Sequence, residues 1–388
     1  MSLRIAYLSQ GKLRLKTEGK EVRTIESRFG QQVRERAIQI QQRNAWKTQG
    51  AGAQFMSGGL LWGEREHDPA EMRIAITGLS WGCQEAELLY ALETDEIAGV
   101  FLVKEGGGEE QRLYHSSDYR VRHLSAHSGD GLIACTLMHK YGTSNIAVMR
   151  ADGSDFIEVT EGDSIDLSPK WIRGDSRELV FQSAGIARNQ DGRFSGNGPF
   201  TIQMLNLDNG EMTCLAEDPK SDLLAPQIDG EGSLYYIRRP YRQPVERFSL
   251  WKFVLDILLF PPRLLYAIFQ WLNFFTVRYT GKFLTTGGGA RLKEINKKQM
   301  MLWRNLNDAQ RGARQGEGEE APALVPKSWE LVRQDGRGAS QSLVKGVLSF
   351  DLPSDGSIVY SNGSAIFRMD KGGATERLVV DGMIEQVV

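Results

Sequence analysis

Histidine and aspartate side chains are the residues of this sequence whose types and spacing could support chemistry. His123 and His127 are four residues apart, a spacing at which two imidazoles on one helix can share a metal ion. They flank the end of a predicted strand, however, and no third ligand can be named, so a loop is the simpler interpretation. The aspartates Asp163, Asp166 and Asp222 lie in loops that lead into predicted strands, where they could line one face. Polar residues are common in such turns, so neither group predicts a catalytic or metal site.

Phosphate-binding and nucleophile motifs are also missing from the sequence. A P-loop needs a leading glycine, which Thr280-Gly281-Lys282 lacks, and the glycine runs at 106–108 and 287–289 lack the lysine. No GxSxG nucleophile elbow occurs. We therefore predict no enzyme activity and no cofactor, and the sequence identifies no small-molecule substrate. An enzyme with a metal-dependent site on one face is the competing interpretation.

The composition is that of an ordinary globular protein. The 388 residues include 41% hydrophobic and 25% charged ones, which excludes wholesale disorder. A net charge of −2 argues against nucleic-acid binding by the whole molecule. Cys83, Cys135 and Cys214 are far apart and odd in number, which favours a reducing compartment. The apolar core of the N-terminal segment is too short for a signal peptide, so we expect a cytoplasmic protein.

The stretch 145–183 shows its secondary structure most clearly. Its turn Asp152-Gly153 lies between two β-rich runs, where glycine takes the positive φ that a hairpin demands. The run 156–160 alternates in polarity, as a half-buried strand does. Both faces of the run 146–149 are apolar, which predicts a strand between two sheets. One such unit cannot bury both faces alone, so we expect it to recur.

Groups of four short strands recur along the chain at intervals of about 40–45 residues, the period of propeller blades. The N-terminal segment supplies three further strands at 5–26, and the tail 383–388 supplies a fourth. Joining the two ends would complete a blade and remove an exposed sheet edge. The predicted fold is therefore an all-β, six-bladed β-propeller closed by pairing of the N- and C-terminal strands. The other predicted groups lie at 73–115, 120–160, 168–215, 225–237 with 329–344, and 346–380.

One helical segment follows the first three strands. Val33, Ala37 and Ile40 recur at helical spacing, which predicts a helix at 31–46 within an excursion at about 29–47. Its basic residues could contact a partner, and the alternative is a solvated helix face. These residues are Arg34, Arg36, Arg43 and Lys47.

The propeller pattern is interrupted after residue 239. Strands predicted at 329–333 and 340–344 would complete the group that begins at 225, so the interruption predicts a helical insertion within one blade. The predicted boundaries are a propeller at 1–239 and 327–388 and an insertion at 240–326, with an apolar hairpin at 249–275 and a basic helix at about 292–314.

The apolar hairpin is the most distinctive part of the insertion. Spanning a bilayer takes about 20 apolar residues, but Pro261-Pro262 divides this stretch into two pieces of roughly a dozen. Both flanks would also belong to one sheet, which excludes a single crossing. The alternatives are an interfacial or re-entrant hairpin, a docking surface for a protein, and a helical cap on the propeller. The residues expected to enter the membrane or a partner are Trp251, Phe253, Leu258, Phe260, Leu264, Tyr266, Phe269, Trp271, Phe274 and Phe275.

A basic segment follows the apolar hairpin. Residues 278–304 include seven basic residues against one acidic residue, a net charge of +6. Such a segment fits the anionic cytoplasmic leaflet, which attracts each basic group near its surface by about 1 kcal/mol. We therefore expect peripheral association with the membrane. The residues expected to contact this surface are Arg278, Lys282, Arg291, Lys293, Lys297 and Lys298.

The 145–183 repeat resembles those of TolB-like six-bladed β-propellers. It combines the turn Ala151-Asp152-Gly153-Ser154 with Ser168-Pro169-Lys170-Trp171 at the next strand. The resemblance is clearest in the central repeats, and the first blade lacks the motif. Arg173-Gly174-Asp175 also stands where the family usually has Pro-Asp-Gly. Variants of the turn are Leu207-Asp208-Asn209-Gly210, Pro353-Ser354-Asp355-Gly356 and Met369-Asp370-Lys371-Gly372.

Three further features resemble the propeller component of bacterial ternary systems. They are the helical segment 38–47, the FMSGGLLWG segment 55–63 and the apolar insertion. In those systems a MoxR-type AAA+ ATPase works with a von Willebrand factor A protein, so the resemblance implies both as partners. We therefore expect a non-enzymatic scaffold or adaptor that binds proteins and is held at the cytoplasmic membrane face by its insertion. A soluble protein-docking adaptor is the alternative.

Overall fold

The computed structural model describes residues 4–48, 74–241 and 321–388, except 96, 106–108, 128, 175, 190, 191, 193 and 337. The chain divides into two units, Met1–Tyr241 with Arg304–Val388, and Arg242–Trp303, of which the second lies outside the described residues. The predicted apolar hairpin 249–275, the basic helix at about 292–314 and the 55–63 motif lie outside them too.

The described residues form 25 β-strands and one α-helix, arranged as six four-stranded antiparallel meanders. Meander 1 consists of β1 (Arg4–Ser9), β2 (Lys12–Thr17), β3 (Arg23–Ile25) and, along the other edge of β1, β25 (Ile384–Val387). Helix α1 (Arg28–Thr48) follows β3. Meander 2 consists of β4 (Ala75–Trp81), β5 (Glu87–Glu93), β6 (Ala98–Lys104) and β7 (Gln111–Ser116).

Meanders 3 and 4 are joined by a single parallel bridge between Ser144 and Ile165. Meander 3 consists of β8 (Arg120–His127), β9 (Leu132–Met138), β10 (Ser144–Arg150) and β11 (Ile157–Glu158). Meander 4 consists of β12 (Ser164–Trp171), β13 (Glu178–Arg188), β15 (Thr201–Asn206) and β16 (Met212–Ala216), with β14 (Phe194–Asn197) paired to the end of β13.

Meander 5 flanks the predicted insertion, and meander 6 follows it in the chain. Meander 5 consists of β17 (Ser221–Ile228), β18 (Leu234–Pro240), β19 (Glu330–Gln334) and β20 (Ser340–Lys345). Meander 6 consists of β21 (Ser349–Asp351), β22 (Ile358–Ser361), β23 (Ala365–Met369) and β24 (Thr375–Val380). We call β25, β4, β8, β12, β17 and β21 the leading strands, because each is the first strand in the spatial order of its meander. In meander 1 that order is β25, β1, β2, β3.

The hydrophobic core lies between neighbouring meanders. In the described part of the chain, one cluster of buried side chains occupies each interval from meander 1 to meander 6, and a further cluster joins meander 6 to meander 1. In that last cluster Tyr7 of β1 packs with Val359 and Ile366. Strands with such neighbours on both faces are apolar throughout, and the prediction that β10 is buried on both faces is confirmed.

The two chain ends pair, as the sequence predicted. Tyr7 is opposite Val387 in the β1–β25 ladder, and the backbones of Ala6 and Val388 exchange two hydrogen bonds of 3.0 and 2.9 Å. The Tyr7 hydroxyl donates to Asp381 at 3.0 Å, and Arg14 pairs with the same carboxylate at 2.6 Å. Burial and the bond to Asp381 raise the pKa of Tyr7, which keeps the phenol protonated as a donor.

The predicted Asp152-Gly153 hairpin is confirmed and reaches the neighbouring meander. β10 pairs with β11, and Gly153 has a φ of +88°. The Phe156 ring stacks on Tyr114 of β7, with ring centroids 4.1 Å apart. This turn therefore shapes meander 3 and also packs it against meander 2.

The groups predicted to begin at residues 168 and 225 begin earlier, at Ser164 and Ser221, so Ser168-Pro169 and Ala225-Pro226 do not start their strands. Both pairs lie inside β12 and β17, at β-bulges where two residues stand opposite one. A bulge leaves a backbone amide outside the ladder, so proline forfeits no bond there. β8 carries the same bulge at His123, and the residues His123, Ser168 and Ala225 have positive φ values of 49°, 56° and 51°.

Candidate functional site

The predicted membrane or partner residues, from Trp251 to Phe275, lie outside the described residues, and so do the predicted surface cations, from Arg278 to Lys298. Their role stays a prediction. Within the ranges that are described, no helix has both the length and the apolar character needed to cross a bilayer. The described site features are therefore the base of the insertion, the leading strands and α1.

The three aspartates noted in the sequence each have a structural partner in their own meander. The Arg188 guanidinium donates to Asp163 and holds the pKa of that carboxyl below its usual range. Asp222 is buried and accepts a second bond from the backbone N–H of Phe200 at 3.1 Å. These carboxylates therefore stabilise strand ends, and the structure does not gather them in one site. The pairs are Asp163 with Arg188 (2.6 Å), Asp166 with the Ser183 hydroxyl (2.7 Å) and Asp222 with Arg239 (2.8 Å).

The two histidines four residues apart have different surroundings. His127 is buried, its Nδ1 accepts the Asp130 N–H at 3.1 Å, and its ring lies 5.0 Å from the Trp171 ring. Nδ1 of His123 lies 3.3 Å from the Thr136 hydroxyl. No group of three His, Cys, Asp or Glu side chains among the described residues could hold a metal ion. Both histidines lie in β8, His123 at its bulge and His127 at its last residue, so the prediction that they lie in a loop is wrong.

A cavity of about 340 Å³ lies between the leading strands. All six leading strands contribute to its wall, and burial lowers the pKa of the His123 imidazole there to about 3, with a further contribution from the positive charge of Arg122. His123 is therefore neutral at physiological pH. Residues of the wall, one from each leading strand, are Thr77, His123, Pro169, Pro226, Phe350 and Gln386.

Polar contacts across the cavity wall hold the leading strands together. The Lys170 ammonium of β12 pairs with Asp351 of β21 at 2.7 Å, which joins meander 4 directly to meander 6. The Gln227 side chain donates to the Phe350 carbonyl at 2.9 Å. Because these bonds are partly buried, they fix the relative positions of β12, β17 and β21.

The base of the predicted insertion is clamped by charged side chains. β18 and β19 pair from Leu234 with Gln334 to Arg238 with Glu330, although residues 241–329 lie between the two strands. The Arg238–Glu330 ion pair measures 2.9 Å, and Arg239 lies over the Trp329 ring at 5.1 Å. Meander 5 therefore keeps its strand register although the predicted insertion lies between β18 and β19.

The chain also has fixed contacts where it leaves and where it returns. Before the insertion, the Tyr241 hydroxyl donates to the Asn197 carbonyl of β14. On the return, the Leu324 N–H donates to the Asn362 carbonyl at 2.9 Å, and the Asn362 amide donates to the Ala321 carbonyl at 3.1 Å. The return segment thus packs on the β22–β23 turn of meander 6 before it enters β19.

The first turn of α1 is capped by a residue from another meander. The Glu110 carboxylate accepts the backbone N–H groups of Arg28 at 2.7 Å and of Phe29 at 3.0 Å, and also lies 3.3 Å from the Ser27 hydroxyl. Phe29 packs on Phe101 with ring centroids 5.0 Å apart. α1 has no acidic residue in its own first turn, so Glu110 supplies the negative charge that a helix N-terminus favours.

Sequence reasoning predicted α1 but missed how it is held. Residues 27 and 110 are too far apart in sequence for a local capping signal to reveal their contact. The same holds for Lys170 with Asp351 and for Arg238 with Glu330. Each of these pairs depends on the arrangement of separate strands, which periodicity within one segment does not contain.

Comparison with known proteins shows the fold. No family model and no curated protein sequence matches the chain. TolB from Acinetobacter baumannii is structurally similar, with 11% identity and a TM-score of 0.51, over 99% of this chain and 66% of that one, slightly less than two thirds of its length. A chain of a nidogen/laminin complex matches with 8% identity and the same TM-score of 0.51, over 99% of this chain and 97% of that one. The chain therefore has a TolB-like β-propeller fold.

Proposed function

We propose that the six meanders form a closed six-bladed propeller that acts as a non-enzymatic scaffold for protein partners. Closure is supported by the buried cluster between meanders 6 and 1, by the β1–β25 ladder and by the cavity that all six leading strands line. A closed ring has no exposed sheet edge and offers rigid loops on two faces. The fold also occurs in a nidogen/laminin complex, so it is compatible with protein binding.

We propose further that the insertion holds this scaffold at the cytoplasmic membrane face. The observation that carries the proposal is the base of the insertion, where β18 and β19 stay paired and two arginines clamp the strands. A fixed base lets an apolar and basic arm act at a surface without disturbing the propeller. The sequence of that arm, with its aromatic residues and its net charge of +6 at 278–304, matches the chemistry of an anionic lipid surface.

The partners we propose are a MoxR-type AAA+ ATPase and a von Willebrand factor A protein. The support is the resemblance of the 38–47 and 55–63 segments together with the apolar insertion. In this arrangement the ATPase supplies energy, and the propeller localises the complex or presents a client.

Affinity capture from solubilised membranes of the native cells tests the proposed function. The tagged full chain should recover an AAA+ ATPase and a von Willebrand factor A protein, and a tagged unrelated propeller serves as the control. Repeated capture without an ATPase counts against the ternary complex.

Metal analysis and a hydrolase and dehydrogenase panel on the purified chain test the non-enzymatic part. Stoichiometric metal together with turnover would show that the chain is an enzyme rather than a non-enzymatic scaffold.

A further inference from the structure

Beyond its first turn, α1 is exposed and has no buried side chain among the described ones. Gly30 is buried, and a Cβ there would lie 3.0 Å from Ile74, but from Gln31 to Arg43 every described side chain is partly or fully exposed. Ile40 is 59% exposed. The Glu110 cap and the Phe29 contact therefore fix where α1 starts, while the described side chains from Gln31 to Arg43 are at most partly covered.

An apolar stripe runs along this exposed helix. Phe29, Val33, Ala37 and Ile40 are spaced by four, four and three residues, so they lie on one side. In proteins, packing of an apolar face supplies most of the stability of a helix. The stripe is the part of α1 that another surface could cover.

The charge of α1 indicates what kind of surface could cover this stripe. α1 contains five basic residues and one acidic residue, a net charge of +4, on a chain whose total is −2. Arg36 and Arg43 are four residues before and three after Ile40, so they border the stripe. A covering surface must therefore combine an apolar stripe with negative flanks.

We propose that α1 is the docking site for an acidic amphipathic helix of a partner protein. A second copy of α1 would place two helices of charge +4 side by side, which is repulsive. A lipid surface needs bulky apolar residues along the helix, and beyond Phe29 the stripe offers only Val33, Ala37 and Ile40. This inference deepens the proposed scaffold function and rests on it.

The test uses the full chain and a fluorescent synthetic helix with leucines at heptad positions and glutamates beside them. We expect this peptide to bind, and the same peptide with lysines in place of the glutamates to bind at least about tenfold more weakly. The double variant R36E/R43E should lose acidic-peptide binding and gain binding of the lysine peptide. The control variant R34E/Q39E/Q42E makes the same total change in charge away from the stripe and should bind as the wild type does.

Three results would overturn the inference: equal binding of both peptides, equal weakening in the two variants, or an α1-dependent preference for phosphatidylserine vesicles or a DNA duplex over the acidic peptide. Circular dichroism and hydrogen exchange of the sheets confirm that the variants fold. If the peptide fails while the chain still captures its ATPase, the scaffold function stands and only the α1 site is lost. If capture fails too, both are lost.

Discussion

Gly153 is the residue at which the β10–β11 turn meets meander 2. A Cβ at this position would lie 2.2 Å from the Leu113 carbonyl oxygen, in addition to the strain of a φ of +88°. Gly210 occupies the corresponding β15–β16 turn with a φ of +72° and open space around it. Both turns need the backbone freedom of glycine, but only Gly153 also permits a close approach between neighbouring meanders.

Replacing each glycine by alanine separates these two effects. We expect G210A to lower the free energy of unfolding by about 1 kcal/mol and G153A by more than about 2 kcal/mol, because only the latter adds a clash with backbone. Urea unfolding of both variants measures the difference. Equal losses would show that meander 2 does not constrain the turn.

His123 makes stability depend on pH. Its folded pKa of about 3 lies below its ordinary value of 6.5, so the unfolded chain binds a proton that the folded chain excludes. The free energy of unfolding is therefore highest, as far as His123 is concerned, above pH 6.5. It falls as the pH drops from 6.5 towards 3, by up to about 1.4 kcal/mol per pH unit. H123N removes the titration, and asparagine tolerates the positive φ. We expect a flatter profile in H123N between pH 4.5 and 6.5 in urea unfolding, and an NMR titration of His123 near pH 6.5 would contradict this.

At the scale of elements, α1 depends on a capping residue from another meander. Glu110 lies beside β7, and its carboxylate satisfies two N–H groups that a helix N-terminus leaves free. The contact also brings α1 against Phe101 of β6. The cap therefore sets both the start of the helix and its position on the sheet.

Removing this cap should loosen α1 alone. We expect E110A to cost the helix about 1–2 kcal/mol, which speeds hydrogen exchange of its first amides roughly five- to thirtyfold. E109A, which changes the exposed neighbour, is the matched control. Exchange in α1 that is the same in both variants would show that the carboxylate does not hold the helix.

The strands show what the sequence can and cannot specify. Alternating and doubly apolar runs predicted the meanders, and the break in the pattern predicted that β19 and β20 complete meander 5, because these signals lie within one segment. The bulges were missed, since proline reads equally as a strand start. The 11-residue length of β13 and its pairing with β14 were not predicted, because glycines at 185, 196 and 198 interrupt the apolar alternation. The cavity could not be predicted from the sequence, because the residues that line it come from six strands that are far apart in the chain.

At the scale of the whole molecule, the seam between the chain ends completes meander 1. The Gln386 side chain of β25 exchanges hydrogen bonds of 3.1 and 2.8 Å with the backbone of Leu79 in β4, and β25 pairs with β1 next to the contacts around Asp381. Those contacts tie residues from the beginning and the end of the chain into one small network. Loss of the seam would expose two sheet edges at once.

Asp381 tests the strength of this seam. We expect D381N to lower the free energy of unfolding by about 2 kcal/mol, because the charged bond to Arg14 is partly buried. D118N removes the exposed Asp118–Lys140 pair and should change stability by less than about 0.5 kcal/mol. Equal stability of the two variants in urea would show that the Asp381 network does not hold the two chain ends together.

The most direct test of a membrane-held scaffold is flotation of purified chains with lipid vesicles. The full chain should float with vesicles that contain phosphatidylserine and float less with purely zwitterionic ones, since both apolar and basic residues of the insertion contribute. A chain lacking 249–275 should stay at the bottom of the gradient yet unfold in urea like the full chain, because β18 and β19 pair directly. Equal flotation of both chains, or flotation of neither, would contradict the account.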